Sequence, residues 1–149
     1  MGEETPRHAQ EDWRPPAWSR LDQGHEERRG GKAVLVVDDA EAIRTSVADI
    51  LRAVGYTVIE ACDGLEAQRF LSTMRFDAMV LDLNMPRMDG VSLLAAVRRP
   101  PPVVVLSAFT LDEEARRRVG SAIVTHLEKP VQPQRLLEAL EAAIATKQA

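Results

Sequence analysis

The stretch VLDLNMPRMDG, residues 80–90, decides the fold. Val80-Leu81-Asp82-Leu83 reads as a buried strand with a carboxylate where it runs out. A Met-Pro turn and then an Asp-Gly step follow. Consecutive apolar positions, rather than alternating ones, mark a strand covered on both faces, as in the middle of a parallel sheet. An Asp at the end of such a strand either caps a turn or does chemistry. The residues at the other strand ends decide between the two.

Working outward, the same pattern recurs. Ala33 to Val37 is a short Val-rich run. Ile43, Val47, Ile50, Leu51 and Val54 follow at helical spacing, with Gly55 where a C-terminal cap belongs. Tyr56 to Glu60 reads as a second strand, and Ala67, Phe70, Leu71 and Met74 mark a second helix. Ala78 to Leu83 is a third strand. Val91, Leu94 and Val97 give a third helix, ended by Pro100-Pro101-Pro102. Val103 to Leu106 is a fourth strand, and Thr110 and Glu113 have capping-box spacing for a short fourth helix. Ile123 to Leu127 is a fifth strand, and Leu136, Leu137, Leu140 and Ile144 mark the last helix. Strands alternating with helices five times predict an α/β fold: a five-stranded parallel sheet, doubly wound, with right-handed crossovers.

Residues 1–31 differ from the rest. They hold three of the nine prolines and both tryptophans, and Leu21 is their only Leu, Ile or Val. So little apolar surface does not offset chain entropy, so a disordered tail is expected there and one domain over 32–147. Within the tail, His8 and His25 read as inert, and DWRPPAWSR (12–20) reads as a spacer or a short docking motif. The net charge of -4 speaks against a nucleic-acid partner. No run approaches the roughly 20 apolar residues of a membrane span. Nor does the N-terminus have the apolar core of a signal peptide. A lone cysteine, Cys62, fits a reducing compartment and reads as a small buried residue. A cytoplasmic protein is expected.

In open parallel sheets ligands bind beyond the carboxyl ends of the strands. The first strand ends in Asp38-Asp39, the third in Asp82, the fourth in Ser107 and the fifth in Glu128-Lys129-Pro130. Glu60, ending the second, is expected to face elsewhere. Two unit charges about 4 Å apart repel by roughly 4 kcal/mol at an effective dielectric near 20, so three carboxylates at one edge need compensation. A lysine helps, and a hard divalent cation such as Mg²⁺, which takes oxygen ligands, helps more. Taken singly, Asp39 reads as a helix cap, Asp82 as a turn cap and Lys129 as a surface residue. Their coincidence at one edge favours phosphate chemistry, with Asp82 as nucleophile.

The pieces VLVVDDAEAIR, VLDLNMPRMDG, VVVLSA and EKP resemble a response-regulator receiver domain of two-component signalling, over about residues 32–146. The resemblance implies the flavodoxin-like (βα)5 receiver fold. It also implies phosphotransfer from a histidine kinase or phosphotransfer protein onto Asp82, with Mg²⁺. Asp38, Asp39, Asp82 and the backbone carbonyl of Asn84 are the implied metal ligands. Ser107 is the implied switch hydroxyl, Lys129 the lysine on the phosphoryl oxygens, and Lys129-Pro130 a frequent cis bond. Such a protein is a phosphoacceptor rather than an enzyme, apart from slow self-dephosphorylation. It would pass the signal by switching a surface for an output protein, or by relaying the phosphoryl group. The expectation is a single-domain receiver, or a receiver within a longer chain.

The pattern departs from the family at three places. His126 stands where a Tyr or Phe switch residue is usual; an imidazole is smaller, polar and changes charge near neutrality. It is read either as a switch residue or as an exposed side chain with no such role. The spacing from Gly120 to His126 is longer than the family's, which leaves the fourth helix and its output face unassigned. Phe109, two residues after Ser107, either packs on the fourth helix or shields the phosphoryl group from water. Arg116-Arg117-Arg118 reads as a solvated helix end. The rival class is a receiver-like module that binds partners without phosphorylation. A dehalogenase-like phosphohydrolase wants an Asp where Asn84 stands, and a nucleotide-binding Rossmann unit wants glycines that VVDDAEA lacks.

Overall fold

The structure, a computed structural model, describes residues 31–83, 93, 96, 97, 99–107, 113, 117 and 123–148. The expected tail before Gly31 therefore lies outside the described residues, as do Asn84, Phe109 and Thr110. Five strands are present: β1 (Ala33–Val37), β2 (Thr57–Ala61), β3 (Ala78–Asp82), β4 (Val103–Ser107) and β5 (Ile123–Glu128). Three helices are described over their length: α1 (Glu41–Ala53), α2 (Gly64–Thr73) and α3 (Pro133–Gln148). Leu93, Ala96, Glu113 and Arg117 are also helical, within the expected third and fourth helices.

All pairings are parallel, in the order β2-β1-β3-β4-β5. Every residue of β3 and of β4 is buried, which is why these strands read as continuous apolar runs. Side chains alternate across the sheet and form two cores. Val34, Val36, Val80, Val104 and Leu106 pack with α1 and α3. Leu35, Val37, Met79, Leu81 and Val105 pack on the other face with Ala67, Phe76 and Leu93. The chain winds both ways from β1, so the crevice between β1 and β3 opens at the edge where both strands end.

Local signals explain the element ends. Gly55 takes φ 105° after α1 and donates to the Arg52 carbonyl, the left-handed cap its position predicts. Asp63 caps α2 by accepting from the Glu66 amide at 2.8 Å. Asp77 accepts from the Ala33 amide at 2.8 Å and ties the turn before β3 to the start of β1.

Three expectations are corrected. Ile43 is 40% exposed, because the buried stripe of α1, Val47, Ala48 and Leu51, continues one turn back onto Arg44 rather than Ile43. Met74 is 41% exposed, since α2 ends at Thr73 and the backbone turns extended there. Cys62 is exposed, in the turn between β2 and α2. Desolvation and then the Glu66 and Asp63 carboxylates push its thiol pKa up. For a side chain this exposed the carboxylates are the stronger physical reason, and the thiol stays protonated near neutrality.

The contrast along α1 is measurable. Leu51→Ala, at a fully buried position, is expected to cost about 3 kcal/mol in urea unfolding. Ile43→Ala is expected to stay within about 0.5 kcal/mol of the parent, surface aliphatic positions being worth little.

Candidate functional site

Strand register builds the site. Val37 pairs with Leu81, so the next residues, Asp38 and Asp82, come side by side at the carboxyl edge. Asp82 in turn pairs with Leu106, one residue before Ser107, and Ser107 pairs with Glu128, one residue before Lys129. The Ser107 carbonyl accepts the Lys129 amide at 3.0 Å, and the Lys129-Pro130 bond is cis. Four residues named from strand ends, Asp38, Asp82, Ser107 and Lys129, thus occupy one edge.

The side chains converge. Lys129 Nζ lies 3.5 Å from Asp38 Oδ2 and 3.4 Å from Asp82 Oδ2. Carboxylate oxygens of Asp38, Asp39 and Asp82 all lie within 4.8 Å of one another. Asp38 and Asp82 are 3% and 5% exposed, Ser107 is buried, and Asp39 faces solvent. The cap expected of Asp39 is not made: Ala40 is the N-cap residue of α1, with no side-chain cap, and it is Asp38 that closes the preceding turn, its Oδ1 accepting the Ala40 amide at 2.9 Å. Asp39 is thereby left pointing at water beside two buried acids.

Charge dominates this edge. Burial, and after it the Asp82 charge, raise the Asp38 pKa; the Ala40 amide and Lys129 oppose them without winning. Among the described residues the one ammonium at this edge, that of Lys129, does not balance three carboxylates. The donor set is all oxygen, two groups buried and one open to solvent, and fits a hard divalent cation.

Sequence reasoning missed Arg44. Its Nη1 donates to the Asp38 carbonyl at 3.0 Å and its Nε to Glu60 at 3.3 Å. Glu60 faces elsewhere, as expected, turned toward Arg44 and Arg52 of α1. The signal was there: a cation early in a helix opposes the macrodipole and needs a reason. His126 is half-buried, and its Nε2 is shut off from water with no hydrogen-bond partner among the described residues. It pairs with Val105, on the face opposite α1 and α3. Arg117 is solvated, 3.7 Å from Glu113.

Residues 34–141 match the family model of the response regulator receiver domain. The chain belongs to that family. It is 32% identical to the transcriptional regulatory protein PdtaR of Mycobacterium tuberculosis over 117 residues, which cover 76% of this chain and 57% of that protein. It therefore spans little more than half of that regulator. It is also 32% identical to the chemotaxis protein CheY of Thermotoga maritima, over 74% of this chain and 95% of that one. Among solved structures, the chemotaxis protein CheY4 of Vibrio cholerae superposes with a TM-score of 0.69 at 35% identity, covering 75% of this chain and 98% of that one. Receiver domains are signalling modules of two-component systems, and the five-stranded parallel sheet found here is theirs. Among the described residues no helix is long and apolar enough to cross a membrane.

Two stability measurements test the site's electrostatics in metal-free buffer. The folded Asp38 carboxyl has a pKa above its ordinary value of 3.8. The folded state thus holds this proton more tightly, and the stability linked to it is complete below 3.8 and lost as pH rises through the folded value. Asp38→Asn is expected to raise Tm by about 3 °C at pH 7, with the gain shrinking toward pH 4. His126→Phe removes a buried unpartnered nitrogen and is expected to raise Tm by about 2–4 °C in the same melts.

Proposed function

We propose that residues 32–147 act as a phosphoacceptor receiver, with Asp82 taking a phosphoryl group from a histidine kinase or phosphotransfer protein. The observation that carries this reading is the buried Asp82 carboxylate, 3.4 Å from Lys129 and beside two more acids. An Asp82 oxygen attacks phosphorus, a P–O bond forms, the P–N bond to the donor imidazole breaks, and the ring nitrogen leaves with the bond's electron pair. Lys129 sits where it neutralises charge on the phosphoryl oxygens. The acyl phosphate adds roughly -1.5 to -2 charges. Asp38, Asp39, Asp82 and the Asn84 carbonyl would hold Mg²⁺, which when bound offsets that charge. Ser107, buried and joined to Lys129 through its backbone, is the hydroxyl that reports the phosphoryl group to the β4 end. His126 and Phe109 are proposed to pass that report to a surface for an output protein. The setting is cytoplasmic, and neither nucleic acid nor membrane is a partner.

Incubation with acetyl phosphate and Mg²⁺, read by intact mass, tests this. The wild type is expected to gain one phosphoryl group, Asp82→Asn none, and His126→Tyr the same as the wild type. Labelling that survives Asp82→Asn would sink the assignment. No labelling of a folded wild type would favour a module that binds partners without phosphorylation.

A further inference from the structure

Arg44 is an odd residue for its place. It fills the slot on the α1 stripe where an aliphatic side chain would pack, one turn before Val47 and Ala48. Its side chain is only 15% exposed. A guanidinium there is partly desolvated and stands near the positive end of a helix, both unfavourable. What it gains is specific. One nitrogen binds the Asp38 carbonyl at 3.0 Å and another binds Glu60 Oε1 at 3.3 Å. Glu60 is itself fixed, since its second oxygen accepts from Arg52 at 3.2 Å and Arg52 also holds the Val58 carbonyl at 3.0 Å. A planar fork spanning two acceptors sets position in a way a point charge does not.

The Asp38-Asp39 turn is therefore pinned on three sides. The Asp38 amide donates to the Ala61 carbonyl at 3.1 Å, its side chain accepts from the Ala40 amide, and its carbonyl accepts from Arg44. Of these three, only the Arg44 bond comes from a side chain outside the turn; Lys129, also outside it, meets the Asp38 carboxylate at 3.5 Å and not the turn's backbone. We propose that Arg44, oriented by Glu60, is a positioning residue for the cation site, fixing the turn that presents the Asp38 and Asp39 carboxylates. This rests on the cation reading of the acidic edge. A surface-type ion pair between α1 and β2 would contribute to stability alone, typically under about 1 kcal/mol. Positioning has a different signature, because partners that orient metal ligands change metal affinity.

The sign of the effect separates the explanations. Arg44→Met keeps the length and removes the charge. Loss of a nearby cation alone would tighten Mg²⁺ binding; loss of positioning weakens it. The expected result is an Mg²⁺ Kd raised about tenfold by titration calorimetry. Glu60→Gln, the variant to use if Arg44→Met fails to fold, is expected to weaken binding less. The double variant is expected to be no worse than Arg44→Met, since Glu60 acts through Arg44. A second readout needs no metal: amide exchange at Ala40 is expected to quicken several-fold in Arg44→Met. Tighter or unchanged Mg²⁺ binding by a folded variant, or unchanged Ala40 exchange, would overturn the proposal. Wild-type protein that binds no Mg²⁺ would overturn the cation reading itself, with Ala40 exchange still deciding whether Arg44 holds the turn.

Discussion

Two carboxylates held out of water next to each other are the constraint around which this molecule is arranged. Asp38 and Asp82 are adjacent because β1 and β3 are paired in parallel with Val37 opposite Leu81. A one-residue slip would place the wrong face of each strand in the wrong core, so hydrophobic burial enforces the acidic contact. Repulsion between the two is thus sustained by packing on both sheet faces, where the fully buried valines and leucines of β1, β3 and β4 lie. Lys129, at 3.5 and 3.4 Å from the pair, softens the repulsion and leaves a negative balance. An edge in that state draws positive charge, whether a metal ion or another cation supplies it.

The same packing reaches the acidic edge from both sides. α1 covers the face on which Val34, Val36 and Val80 lie, and its buried stripe ends in Arg44 at the level of the acidic turn. The helix that seals one core therefore also reaches the backbone of Asp38. On the other side, β4 and β5 carry Ser107 and Lys129 to the edge and join them by a backbone hydrogen bond. That bond continues the β4–β5 ladder one residue past the end of β5 and fixes the two residues side by side.

The fold was legible because its signals are short-range. Apolar runs at β1, β3 and β4, helical spacing in α1 and α3, and Gly55 each report a local preference that tertiary structure kept. The acidic edge was legible for a related reason: in a parallel sheet, strand ends come together whatever the loops do. What escaped was fine geometry. Ile43 and Arg44 are neighbours, and 100° of helix rotation decides which faces the sheet; hydrophobicity alone picks Ile43, and the structure picks Arg44. Asp38 rather than Asp39 turns inward and closes the turn before α1 through the Ala40 amide, a choice between adjacent identical residues that composition does not make. Cys62 followed the habit of free cysteines to be buried, but it falls in a turn just past the end of β2.

His126 shows how one atom can weigh on a balance of states. A buried nitrogen without a partner costs about 1–3 kcal/mol, and a phenyl or phenol ring at the same place would carry no such nitrogen. Any displacement that lets water reach Nε2 recovers that cost, so the imidazole favours the more hydrated arrangement relative to an aromatic hydrocarbon. The residue lies three positions before Lys129 on a strand whose partner ends in Ser107. The cost at His126 is therefore borne by the strand pair that forms one wall of the acidic edge.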